Sequence, residues 1–501
     1  MTIRSGPTEL PGEGSRRRPT LELLTRESVE RIVGEAIELL ARVGVFIEND
    51  EALTLLQDAG ARADVNRRVF LPEDLVWRCI RSAPSTVPLF DRSGGECLRL
   101  EGLSVSFNPG SAALKMLDRR TAQARLPRTE DLILFSRLTD ALPHFAAQST
   151  AAVPSDVPDA IADRYRLFLA LLNSAKPVVT GTFTVEGFAV MREMLCAVAG
   201  DGDRLRRRPM AVFDACSSQP LKWTNLTAQS LIDSARAGLP AELISVPMLG
   251  ATAPLSLAGA LTQHTAENLS GIVIHQLAGS GSPVIYGGSP AAMDMRHGTI
   301  AMGAVETMML VSGYAQIGRY LGLPTHGYLA LSDAKVVDAQ AGLESGMGAL
   351  MAALSGVNMV SGAGMLEFEN CQSFEKLVID NEICGMVRRL VRGIALRGGK
   401  LAEDLYGDLS DGELFLTSPR TLAYLSDEVW SPGPVIDRRS REVWEREGGR
   451  DAWRRAGEEV DRLLLREPSP LPEDLRLELE GIMAADAGAH GMDRLPHHSI
   501  E

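Results

Sequence analysis

Hydrophobic and polar positions switch period in a regular way along this chain. Short runs rich in apolar, small and β-branched residues at 105–108, 145–153, 177–182, 210–215, 243–249, 283–287, 325–331 and 357–361 read as buried strands. Helix-compatible segments lie between and after them, near 129–141, 156–174, 186–199, 221–238, 256–280, 299–321, 335–355 and 372–394. Strict alternation of strand and helix favours a parallel sheet with helices outside. Eight of each predicts an α/β chain whose residues 98–394 close as a (β/α)8 TIM barrel. The stretch 323–342 ends one of these strands in a polar cluster, His326, Tyr328, Ser332 and Asp333, ahead of a helix expected to start near Ser332.

The flanks have other patterns. Residues 1–19 read as a disordered tail, and Arg16, Arg17 and Arg18 in it as a solvated basic arm. Residues 20–97 read as an α+β extension. Thr25 caps a helix with Val29, Ile32, Val33, Ala36, Ile37 and Leu40 on one face, and Asn49 and Pro72 open two more helices. Residues 395–483 read as a mostly helical extension that packs on the barrel or on a neighbouring subunit, and 484–501 as a mobile tail.

Composition narrows the classes. A net charge of −14 argues against nucleic acid and anionic membrane surfaces. The N-terminus lacks the apolar core of a signal peptide, and the apolar stretches 299–318 and 345–360 carry Glu306, Gln316 and Asn358, so they read as buried helices rather than membrane spans. A cytoplasmic location is expected. The six cysteines form no CxxC pair and read as reduced thiols; no metal site is expected.

In such a fold the C-terminal strand ends carry the chemistry. Those ends hold Asn108, Gln148, Phe183, Asp214, Tyr286, His326, Tyr328 with Asp333, and Glu367. The set has aromatics, few charges and no Lys/Arg cluster, which argues against phosphorylated substrates. No GxSxG elbow or GxGxxG junction occurs there. Aromatic faces with sparse carboxylates suit a cationic organic substrate, at about 0.5–2 kcal/mol per ring contact. Asp333 could equally cap the helix that follows it, and His326 could be a satisfied core histidine.

Five segments carry a family resemblance: VGVFIENDEALTLLQDAGARAD, RVFLPEDLV, SDAKVVDAQAGLES, EKLVIDNEICG and VIDRRSREVWEREG. In order and spacing the chain resembles the trimethylamine methyltransferase superfamily, specifically members without pyrrolysine such as glycine betaine methyltransferases. The resemblance implies a (β/α)8 barrel that moves a methyl group from a methylated amine to the Co(I) centre of a partner corrinoid protein, with no tightly bound cofactor of its own. Trimethylamine enzymes of that family carry pyrrolysine just before the SDAK-like segment, near Leu331 here. Its absence points to a quaternary amine. On this reading Tyr286, Tyr328 and Phe183 line the ammonium pocket. Asp214, Asp333 or Glu367 offsets its charge, and His326, Gln148 and Asn108 bind the distal end. A folate acceptor on the same barrel, or a non-catalytic amine-binding barrel, are the alternatives. Glycine-rich helix faces and the charged C-terminal extension are expected to support a homo-oligomer.

Overall fold

All eight apolar runs contain or overlap parallel strands in the computed structural model, which describes residues 16–396, 400–403, 406, 414–467 and 469–496. The strands are β1 (Ser106–Pro109), β2 (Gln148–Ser149), β3 (Val178–Gly181), β4 (Ala211–Cys216), β5 (Ala241–Ile244), β6 (Val284–Ile285), β7 (His326–Tyr328) and β8 (Met359–Ala363). The helices that follow each in turn are α1 (Thr129–Ala141), α2 (Ala162–Asn173), α3 (Gly187–Ala199), α4 (Asn225–Ala237), α5 (Leu257–Ala278), α6 (Val305–Tyr320), α7 (Ala339–Ser355) and α8 (Phe374–Val391).

The strands form two parallel sheets, a five-stranded one ordered β2-β3-β4-β5-β6 and a three-stranded one ordered β7-β8-β1. Single parallel bridges join their edges. Phe107 pairs with Phe145, Ala146 N donating to Phe107 O at 2.9 Å, and Tyr286 pairs with Thr325, His326 N donating to Tyr286 O at 3.0 Å. The architecture is thus α/β with parallel sheets, and the strands are buried on both faces, as their near-continuous apolar runs require.

Three local departures matter for the site. β5 begins at Ala241, two residues before the expected start, so Glu242 lies inside a buried strand. β7 is three residues long, and α7 starts only at Ala339, where the Asp338 carboxylate accepts from Gln340 N and Ala341 N. Asp333 is therefore no helix cap. An antiparallel hairpin, Ala292–Asp294 with Thr299–Ala301, stands where the start of a helix was expected, and α6 begins after it.

At the N-terminal side, Thr25 Oγ1 accepts from Ser28 N, and the helix Arg26–Arg42 buries Val29, Ile32, Val33, Ala36, Ile37 and Leu40 against α5. Residues 1–15 lie outside the described residues. The arginines after them are not a free arm: Arg16 pairs with Asp427 at 2.5 Å, and Arg18 donates to Ala353 O at 2.9 Å. The helix Ala452–Leu464 packs on α8 and α1, and Glu473–Ala489 packs on α3 and α2. That last helix runs past residue 484 because Met483 and Ala487 are buried and Asp486 pairs with the enclosed Arg164 at 2.6 Å. No helix among the described residues is long and apolar enough to cross a membrane.

Candidate active site

A cavity of about 390 Å³ lies at the C-terminal ends of β3, β4, β5 and β7. Its wall includes Arg166, Phe183, Asp214, Cys216, Tyr328, Met302, Phe368 and Glu369. A larger cleft of about 740 Å³ opens at the other ends of the strands, beside Leu103 and Leu323. Its two arginines, Arg18 and Arg319, donate to Ala353 O and Ser355 O in the last turn of α7, where cations complete a helix end. The smaller cavity is the one placed where parallel α/β folds do chemistry.

Three acidic groups gather there against one cation. Asp214 and Glu369 line the cavity, and Glu242, wholly buried, stands beside Asp214 on the next strand. Asp214 Oδ1, Glu369 Oε1 and both Glu242 oxygens lack a hydrogen-bond partner. Burial, then the neighbouring Glu242, pushes the Asp214 carboxyl well above its ordinary range. Burial does the same to Glu242 and, with Asp333 adding repulsion, lifts Glu369 to about 8. Arg166 is the cation, brought down to about 10 by burial and so still charged at neutral pH. Its guanidinium lies 4.4 Å from the centre of the Phe183 ring.

A polar chain runs beneath the cavity and spans the gap between the two sheets. Asn108 on β1 and Ser361 on β8 are register partners joined by two hydrogen bonds, Asn108 Nδ2 to Ser361 Oγ at 2.8 Å and Ser361 Oγ to Asn108 Oδ1 at 3.0 Å. Ser361 Oγ lies 3.0 Å from His326 Nε2. On the other side of the ring, His326 Nδ1 stands 2.7 Å from Glu242 Oε1, off the line of a hydrogen bond. Burial lowers the histidine to about 3, so it is neutral and the contact is not an ion pair of two charges. Tyr328 meets the His326 ring edge-on at 4.7 Å and lines the cavity, and its hydroxyl has no hydrogen bond among the described residues.

The structure brings Phe183, Asp214 and Tyr328 together on the cavity wall, with His326 and Asn108 one layer below. The others sit elsewhere. Tyr286 faces the helices: its hydroxyl bonds Thr265 Oγ1 at 2.9 Å, and its ring packs beside His264 and Tyr314. Gln148 also turns outward, donating to Ser136 O at 2.9 Å. Asp333 accepts from Met302 N and Gly303 N, each at 3.0 Å, which fixes the Met302 segment of the cavity wall. Glu367 pairs with Lys115 at 3.2 Å.

Glu367 nonetheless shapes the site. Glu367, Phe368 and Glu369 have φ of 52°, 60° and 66°, three successive side chains in the left-handed region. That conformation costs roughly 1–2 kcal/mol per residue. The Lys115–Glu367 pair and Lys335 Nζ, 4.1 Å from the centre of the Phe368 ring, hold the turn and present Glu369 to the cavity. Strain maintained at a functional site is how a fold aims a side chain it could not otherwise place.

Sequence reasoning missed Glu369, Glu242 and Arg166. A carboxylate inside the apolar run that forms β5 was a usable signal for Glu242, and an arginine within the apolar run of α2 was one for Arg166. Among the described residues no group of three or more His, Cys, Asp or Glu side chains is arranged to hold a metal ion.

Comparison with known proteins gives this geometry a family. The family model for trimethylamine methyltransferase (MTTB) matches residues 7–487. The chain is 32% identical over 470 residues to a trimethylamine methyltransferase of Desulfitobacterium hafniense (strain DSM 10664 / DCB-2), covering 93% of this chain and 94% of that protein. It is 31% identical over 431 residues to the glycine betaine methyltransferase of Desulfitobacterium hafniense (strain Y51), covering 86% and 89%. It is also similar to the crystal structure of the Methanosarcina barkeri monomethylamine methyltransferase, at 13% identity and a TM-score of 0.49 over 87% of each chain. The chain belongs to the trimethylamine methyltransferase family and is an enzyme of the methyltransferase type.

Proposed function

We propose that this enzyme takes a methyl group from a small quaternary amine and delivers it to the reduced cobalt of a separate corrinoid protein. The cavity that holds the amine would be the mouth of a (β/α)8 barrel. The backbone bridges at both seams between the sheets support that closure. The observation that carries the amine reading is the pair of buried carboxyl oxygens without hydrogen-bond partners, Asp214 Oδ1 and Glu369 Oε1, on the wall of one small cavity, with Glu242 beside Asp214. Buried acids without partners are costly, and a fixed positive charge entering the cavity would let them ionise. The Tyr328 ring adds attraction for a methylated ammonium, and the Phe183 and Phe368 rings, which hold Arg166 and Lys335, add apolar wall.

A quaternary nitrogen has no lone pair, and its leaving group is a neutral tertiary amine. The protein therefore needs no acid to protonate nitrogen during bond cleavage. Its residues must strip water from the cation, hold its charge and aim one methyl at the mouth. Asp214 and Glu369 hold the charge, and Tyr328 and Phe368 exclude water. The volume suits a small amine and is too small for a corrinoid ring, which fits a cofactor carried by a partner that docks outside. The docked corrinoid supplies the nucleophile. Mixing the enzyme with a reduced corrinoid protein and a panel of betaines tests this. Loss of the Co(I) absorbance with one of them supports it. Methylation of a folate with no cobalt change contradicts it.

A further inference from the structure

Arg166 is enclosed by protein, yet its donors are largely unspent. Nη1 donates to Thr150 O at 3.0 Å, Nε is buried with no partner, and the side chain forms no ion pair among the described residues. The nearby Asp163 is already committed: Oδ1 takes Arg164 Nη1 at 3.0 Å and Oδ2 takes Phe183 N at 2.7 Å. Phe183 holds the flat guanidinium face, which leaves its donor edges in a fixed orientation. A buried guanidinium with unmet N–H groups is costly until an anion completes it, and a fixed fork suits a carboxylate. The same cavity carries the acidic pair Asp214 and Glu369, so it has a positive pole and a negative pole.

We propose that Arg166 is the specificity-determining receptor for the carboxylate of a betaine held in this cavity. This rests on the reading of the cavity as an ammonium site. It replaces His326, Gln148 and Asn108 as receptors for the distal end, since His326 and Asn108 bond Ser361 and Gln148 bonds Ser136.

The test is calorimetric binding of glycine betaine, choline and tetramethylammonium to the purified chain, without any corrinoid. Wild type should prefer glycine betaine over choline by about 100-fold. Arg166→Met should lose that preference, binding glycine betaine no more tightly than choline, and Arg166→Lys should be intermediate. Equal affinity of wild type for glycine betaine and choline would overturn this proposal and leave the ammonium site standing, with no variant needed. An Arg166→Met protein, folded by circular dichroism, that keeps the preference would also overturn it. No binding of any of the three ligands by wild type would remove the ammonium site itself.

Discussion

Asp214 on β4 and Glu242 on β5 are register partners in adjacent parallel strands. Side chains of paired residues project to the same face with their backbones about 4.8 Å apart. Two carboxylates so placed cannot both ionise in a buried site without a cation nearby. Asp214→Asn should therefore weaken quaternary-amine binding by about 10- to 100-fold, because the ligand loses one of the two counter-charges on the cavity wall. It should leave the thermal midpoint at pH 8 unchanged or raised, because a neutral amide replaces a buried acid that is costly to ionise. A lowered midpoint with unaltered affinity would assign Asp214 to the fold instead.

Glu369 gives the pH dependence a sign. In the free enzyme it holds its proton up to about 8, and the proposed ammonium ligand would bind its ionised form. Affinity should rise by up to about tenfold per pH unit below 8 and level off above. Calorimetry in buffers of different ionisation enthalpy should find proton release on ligand binding at pH 7, and nearly one proton fewer per ligand in Glu369→Gln. Stability runs the other way. The unfolded carboxyl ionises in its ordinary range and the folded one near 8. The folded chain thus holds an extra proton between those values, and this group's contribution to stability falls as pH rises through that window.

Tyr286 and Tyr328 should separate stability from binding. Tyr286→Phe removes the hydroxyl bonded to Thr265 in the core, so it should cost about 1–2 kcal/mol of stability with unchanged ligand affinity. Tyr328→Ala removes a ring from the cavity wall and should weaken ligand binding by about tenfold. Chemical denaturation and calorimetry on both variants read the two effects. A binding defect in Tyr286→Phe would return that ring to the pocket.

Asp333→Ala should loosen the cavity wall. It strips the acceptor from Met302 N and Gly303 N, and losing those bonds should cost about 2–3 kcal/mol. Hydrogen exchange should find both amides less protected in the variant. Protection equal to wild type would mean that the hairpin and α6 hold that segment unaided.

These outcomes also mark how far the sequence could be read. The order of strands and helices was legible because buried strands and amphipathic helices differ in period. The N-terminal helix was legible to its cap, since the same six apolar residues that share a face are those buried. Strand ends gave Phe183, Asp214 and Tyr328. Tyr286 and Gln148 do not reach that cavity, because alternate strand residues face opposite ways and a one-residue offset reverses the side. Arg166 reaches the cavity from a helix, and Glu369 from a strained turn two residues past the acid read from sequence. Neither position follows from periodicity.

The most direct test of the central claim is a single turnover with glycine betaine carrying 13C in its N-methyl groups, the enzyme and a reduced corrinoid protein. One labelled methyl group should appear on the corrinoid protein for each tertiary amine formed, with no transfer without the enzyme. A tertiary amine formed with the label on any other acceptor, or no tertiary amine at all, would contradict it.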